Sequence, residues 1–124
     1  MAKKNYTILV AEDEEYNFTL LKYIFEKEGA IVIRANNGKE AVEIFSENDN
    51  IDLVLMDIKM PVMNGIEATK AIKEINTNMP VLAVTAYALS KDRERCFQAG
   101  CDEFITKPIN REKLLMLTNK WRNH

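Results

Sequence analysis

Leu53-Val54-Leu55-Met56-Asp57-Ile58-Lys59-Met60-Pro61-Val62-Met63-Asn64-Gly65 is the stretch on which the fold of this chain turns. Leu53 to Met56 is an apolar run long enough for a buried strand and too short for a helix. It ends on a carboxylate, Asp57. Proline disfavours the helical region in the residue before it, so Met60-Pro61 reads as extended, and Asn64-Gly65 reads as a turn pair. An acid just past a buried strand lies where open α/β sheets collect reactive groups. Taken alone, Asp57 reads more readily as a turn residue. The rest of the chain decides.

Upstream, Thr7 to Ala11 is a second buried-strand pattern and runs into Glu12-Asp13-Glu14-Glu15. Tyr16 to Glu28 carries Leu20, Leu21, Ile24 and Phe25 at helical spacing, with Gly29 where a helix would stop. Ile31-Val32-Ile33 is a strand, and Asn37-Gly38 turns into a helix with Ala41, Ile44 and Phe45 inward. Downstream, Ala68, Ala71, Ile72 and Ile75 mark a helix, and Val81 to Thr85 is a fourth strand after Pro80. Ser90 is the expected N-cap of a helix through Phe97 that stops at Gly100. Glu103 to Thr106 is a short fifth strand cut off by Lys107-Pro108. Asn110 caps a last helix with Leu114, Leu117 and Trp121 on one face.

Strand starts near residues 7, 31, 53, 81 and 103 recur roughly every 22 to 28 residues, the rhythm of repeated βα units. Right-handed helical crossovers then join parallel strands. The expected architecture is α/β: a flavodoxin-like, doubly wound (βα)5 module whose five-stranded parallel sheet has the order 2-1-3-4-5. No linker or repeat interrupts it, so residues 1–124 read as one domain with a core of about residues 6–122.

Composition narrows the function. The chain has 124 residues, 47% hydrophobic and 29% charged, and a formal charge of −2, which leaves no basic footprint for nucleic acid. No apolar run approaches the roughly 20 residues of a membrane span, and no signal-peptide core opens the chain. Cys96 and Cys101 form neither a disulfide framework nor a CxxC motif, so a reduced, cytoplasmic setting is expected. The four glycines are scattered and make no phosphate-cradling loop.

In a parallel sheet the residues just past each strand meet along one edge. Here they are Glu12 and Asp13, Asp57, Thr85 and Lys107. Singly, each has an ordinary reading: acids before a helix, a strand threonine, a surface lysine. Together they place three carboxylates, a hydroxyl and an ammonium at one site. Crowded carboxylates repel unless a cation neutralises them. An all-oxygen donor set suits Mg²⁺, with Mn²⁺ able to take its place. Lys107 would pair with a phosphoryl group, Thr85 could donate to it, and Asp57 could act as a nucleophile forming an acyl phosphate. His124, the single histidine, is the final residue and lies outside this arrangement.

Leu9-Val10-Ala11-Glu12-Asp13, Leu55 to Gly65, Val84-Thr85-Ala86 and Phe104-Ile105-Thr106-Lys107-Pro108 resemble the motifs of response-regulator receiver domains, over Ile8 to Trp121. The resemblance implies that Asp57 accepts a phosphoryl group from a phosphohistidine on a histidine kinase or histidine phosphotransfer protein. It implies Mg²⁺ held by Asp13, Asp57 and the backbone carbonyl of Lys59, with Glu12 acting largely through water. Thr85 and Lys107 would contact the phosphoryl oxygens, and Lys107-Pro108 would be cis. Switching would couple Thr85 to Phe104, a position where many members have tyrosine, and would move the face of the fourth helix, fifth strand and fifth helix. Lys59 and Tyr87 flank the site and are expected to tune dephosphorylation. The chain would phosphorylate itself and lose the group by autodephosphorylation, without being a conventional turnover enzyme. A phosphorylation-dependent dimer is compatible with the resemblance.

The wording around Glu12, Asn36 and Met60 also resembles receivers of hybrid sensor histidine kinases. The chain therefore reads as a free-standing receiver or as the cytoplasmic part of a longer hybrid kinase. Three alternatives stand beside it. A haloacid-dehalogenase-type phosphohydrolase needs a second acid two residues after its nucleophile, where this chain has Lys59. A flavin or nucleotide binder needs a phosphate-binding loop where this chain has Glu12-Asp13-Glu14-Glu15. A degenerate receiver would bind partners without phosphorylation.

Overall fold

The run that begins at Leu53 becomes β3 (Leu53–Asp57), the middle strand of a five-stranded parallel sheet. This computed structural model describes residues 6–60, 63–86 and 90–122. Before β3 come β1 (Thr7–Ala11), α1 (Glu15–Lys27), β2 (Ile31–Ala35) and α2 (Gly38–Glu47). After it come α3 (Gly65–Ile75), β4 (Val81–Thr85), α4 (Ser90–Ala99), β5 (Glu103–Thr106) and α5 (Arg111–Arg122). The strand order is β2-β1-β3-β4-β5, as the βα rhythm led us to expect.

Strands β1, β3 and β4 are buried throughout, which explains their nearly unbroken apolar sequences: both faces meet helices. Alternation along each strand splits the core in two. Leu9, Val54, Met56, Val81 and Ala83 face α2, α3 and α4 through Phe45, Ile72 and Cys96. Ile8, Val10, Leu53, Leu55, Leu82 and Ile105 face α1 and α5 through Leu21, Phe25 and Leu114. The parity of a residue within its strand therefore decides which helical layer it meets.

Three asparagines start helices. The Oδ1 atoms of Asn37, Asn64 and Asn110 accept hydrogen bonds from the backbone N–H groups of Glu40, Glu67 and Lys113 at 2.8, 2.9 and 3.0 Å. Asn64-Gly65 is thus the cap and first residue of α3 rather than a free turn pair. Helices α1 and α4 end at Gly29 (φ 87°) and Gly100 (φ 111°), left-handed positions that favour glycine. At the end of α4 the backbone N–H of Cys101 bonds to Cys96 O at 3.0 Å, and that of Gly100 to Phe97 O at 3.1 Å. Cys96 and Cys101 are buried free thiols packed in this helix-ending motif.

Some local expectations need correction. Leu20 is exposed, because the buried stripe of α1 is Phe18, Leu21, Ile24 and Phe25, spaced three and four residues apart, and Leu20 falls off it. Ile75 is exposed at the end of α3. Ser90 is the first residue of α4 rather than its cap. Strand β2 runs past Ile33 to Ala35, because Arg34 stacks over the Phe18 ring at 4.6 Å and pairs with Glu15 at 2.9 Å. Those contacts keep a charged residue in an edge strand.

Candidate functional site

Parallel pairing sets the ends of β1, β3 and β4 side by side, with Ala11 opposite Met56 and Asp57 opposite Val84. Past these ends the charged groups converge. Lys107 Nζ donates to Glu12 Oε1 and to Asp57 Oδ2, each at 3.0 Å. The position of Lys107 is fixed by its own backbone N–H, which bonds to Thr85 O at 2.8 Å and so carries the β4–β5 pairing one residue beyond β5. Its peptide bond to Pro108 is cis, as the resemblance implied.

Each buried acid is held at both oxygens. Asp57, 5% exposed, accepts from the backbone N–H of Lys59 at Oδ1 (3.0 Å) and from Lys107 at Oδ2. Glu12, 2% exposed, accepts from the backbone N–H of Glu14 at Oε2 (3.2 Å) and from Lys107 at Oε1. Arg34 grips the same loop through Glu12 O, with Nε and Nη2 each at 3.3 Å. Asp13 is exposed at the mouth. One carboxylate oxygen from each of Glu12, Asp13 and Asp57 lies within 4.8 Å of the others.

This crowding is electrostatically expensive. Burial, then the neighbouring Asp57 charge, push the Glu12 carboxyl up to about 7, against the opposing pull of Lys107. Burial pulls the Lys107 ammonium down, but its bonds to Asp57 and Glu12 outweigh that and hold it above the usual lysine value. A hard divalent cation fits the donor set: three carboxylates at an open edge, all oxygen, with more negative charge than one ammonium offsets.

Thr85 closes β4, the strand beside the one that carries Asp57, with Asp57 opposite Val84. Thr85 shares the parity of Val81 and Ala83, which pack against the α2–α4 layer, and it is fully buried. Phe104 packs on the α2–α4 side, like Val81 and Ala83, and the guanidinium of Arg93 lies 5.8 Å from its ring centre. Tyr87 lies outside the described residues. Sequence reading missed Arg34, Arg93 and Asp92. Asp92 in the first turn of a helix carries no signal beyond the preference of acids for that end.

Residues 8–119 match the response regulator receiver domain family. The chain belongs to that family. This receiver is 41% identical over 120 residues to hybrid signal transduction histidine kinase I of Dictyostelium discoideum, covering 90% of this chain but only 7% of that protein. It is 41% identical over 106 residues to the polar-differentiation response regulator DivK of Brucella anthropi, covering 84% of this chain and 85% of that one. The receiver domain of a sensor histidine kinase from Pseudomonas aeruginosa, solved with a magnesium ion coordinated in its active-site cleft, superposes with a TM-score of 0.89. It is 32% identical and covers 98% of this chain and 100% of that one. The chain thus has the receiver fold of two-component signalling, with an acidic pocket formed by Glu12, Asp13 and Asp57. Among the described residues no helix is long and apolar enough to cross a membrane.

Proposed function

We propose that this receiver, a single domain, accepts a phosphoryl group on Asp57 from a phosphohistidine of a histidine kinase or phosphotransfer protein. The observation that carries the reading is Lys107, whose ammonium bridges Glu12 and Asp57 at 3.0 Å each. It sets an ammonium against a buried carboxylate at the end of a central strand. In the transfer, an Asp57 oxygen bonds to phosphorus, the phosphorus–nitrogen bond to the donor imidazole breaks, and that nitrogen keeps the electron pair and takes up a proton.

Asp13, Asp57 and the Lys59 carbonyl would hold Mg²⁺, with Glu12 acting largely through water. When bound, the ion supplies charge neutralisation for the incoming phosphoryl oxygens. Lys107 is then free to pair with the transferred group. Thr85, drawn toward it, would shift against Phe104, and because this ring has no hydroxyl the coupling runs through packing alone. The test is the intact mass of the chain after incubation with a small-molecule phosphoryl donor. A single phosphoryl gain that needs Mg²⁺ supports the reading. No gain under any condition refutes it and favours a receiver that binds partners without phosphate.

Lys107→Ala should separate metal binding from phosphoryl handling. The variant should bind Mg²⁺ at least as tightly, because no ammonium has to leave the carboxylates, yet take up phosphate more slowly. Without metal it should lose about 3 kcal/mol of stability, since two buried acids lose their cation. Calorimetric titration and urea unfolding read the two effects, and loss of metal binding would contradict this division of roles.

The Glu12 carboxyl also sets a pH dependence. Unfolded, it releases its proton near pH 4.5, and folded near 7, so between these values the folded chain holds a proton that the unfolded chain has lost. Stability from this group is therefore full at low pH and falls as pH rises through that window, by about 3 kcal/mol. Urea midpoints from about pH 5 to pH 8 should show the fall, and Glu12→Gln or saturating Mg²⁺ should flatten it. An unchanged slope in Glu12→Gln would rule this origin out.

A further inference from the structure

Asp92, in the first turn of α4, is 7% exposed, and its Oδ2 is buried without a hydrogen bond. A buried carboxylate oxygen with no donor is costly unless a cation compensates it. That cation is Lys59, whose Nζ lies 3.7 Å from Asp92 Oδ2, within ion-pair reach but beyond a hydrogen bond. Among the described residues no other lysine or arginine nitrogen comes within 4.0 Å of the Asp92 carboxylate. Arg95, one turn further along α4, only lines the same cleft, which opens between the loop after β3 and α4.

Lys59 also touches the acceptor. Its backbone N–H donates to Asp57 Oδ1 at 3.0 Å, while its side chain remains 53% exposed. One residue thus joins two anions: its main chain holds Asp57, and its ammonium faces Asp92. A phosphoryl group on Asp57 adds roughly two negative charges beside the base of this flexible four-carbon stem.

The geometry points to Asp92 as a positioning residue for the phosphorylated site: its buried carboxylate competes with the Asp57 phosphoryl group for the Lys59 ammonium. The inference rests on Asp57 being the acceptor. Hydrolysis of the acyl phosphate bonds a water oxygen to phosphorus, breaks the bond from phosphorus to the Asp57 oxygen, and returns the carboxylate with phosphate and a proton released to solvent. An ammonium seated on the phosphoryl oxygens shields the phosphorus from that water. Asp92, by drawing the ammonium toward α4, exposes the phosphorus and shortens the life of the phosphorylated state.

The test is the decay of phosphorylated chain by intact mass, after removal of a small-molecule donor, in a double-mutant cycle of Asp92→Asn and Lys59→Ala. Asp92→Asn should prolong the phosphorylated state by about fivefold, the upper end for an ion pair with one exposed partner. The effect should vanish in the Lys59→Ala background and return with Lys59→Arg, which keeps the charge. A merely structural role for Asp92 would change the decay equally in every background, and that result overturns the inference. No change with Asp92→Asn in the otherwise native chain overturns it too. A native chain that gains no phosphoryl group overturns the acceptor reading first, and this inference with it, so the two failures are distinguishable.

Discussion

Asp57→Asn is expected to abolish phosphoryl uptake while leaving a folded chain that is more stable than the native one. The amide is nearly isosteric, so β3 and its pairing with β1 and β4 need not change. Its oxygen can still accept from Lys59 N–H or Lys107. What disappears is the nucleophilic charge and its repulsion on Glu12, the second of the two causes that raise the Glu12 carboxyl. Removing a like charge within about 5 Å is worth more than the weakened bond to Lys107, for a net gain of about 1 kcal/mol. Mass spectrometry and urea unfolding in the absence of metal check the two halves separately. Phosphate still appearing on the same residue would refute the acceptor assignment, and a large loss of stability would refute the electrostatic account of the site.

Gly65→Ala should be strongly damaging to the site. A Cβ at Gly65 would strike the Asp57 carbonyl oxygen and lie 2.6 Å from Ile58 Cα. Neither can retreat. Ile58 N–H is bonded to Val84 O at 3.1 Å, its carbonyl accepts from Gly65 N–H at 3.2 Å, and β3 is paired on both sides. Helix α3 must then lift off the strand end, at a cost of about 3 kcal/mol, the top of the range for overpacking. Because the same backbone carries Asp57, phosphoryl uptake by the folded fraction should fall as well. Gly29→Ala is the control: its Cβ meets nothing within 4 Å, and only the φ of 87° opposes it, at about 1 kcal/mol. Urea midpoints compare the two, and equal losses would show that the close approach at Gly65 is unimportant.

That contrast marks where sequence reading stops. Asn64-Gly65 looks like a turn from its chemistry alone, whereas its structural use is a helix cap followed by a contact with a strand end. Turn preference is a local property, and the approach of Gly65 to Asp57 depends on how α3 crosses the sheet. Leu20 and Phe18 show the same limit within one helix. Both are apolar, and the position of the sheet beneath α1 buries Phe18 and leaves Leu20 in water. Asp92 and Arg93 were silent in the sequence because their partners, Lys59 and Phe104, are brought near only by the packing of α4.

The sequence by itself determined the five βα units, the parallel sheet and the convergence of Glu12, Asp13, Asp57 and Lys107. Strand-length apolar runs, helical spacing and the rule that parallel strand ends share one edge suffice for that. Tertiary structure alone decided that one ammonium bridges two buried acids and that Lys59 faces α4. Those outcomes depend on distances of a few ångströms and on the burial of charge, and each is a property of chain segments far apart in sequence.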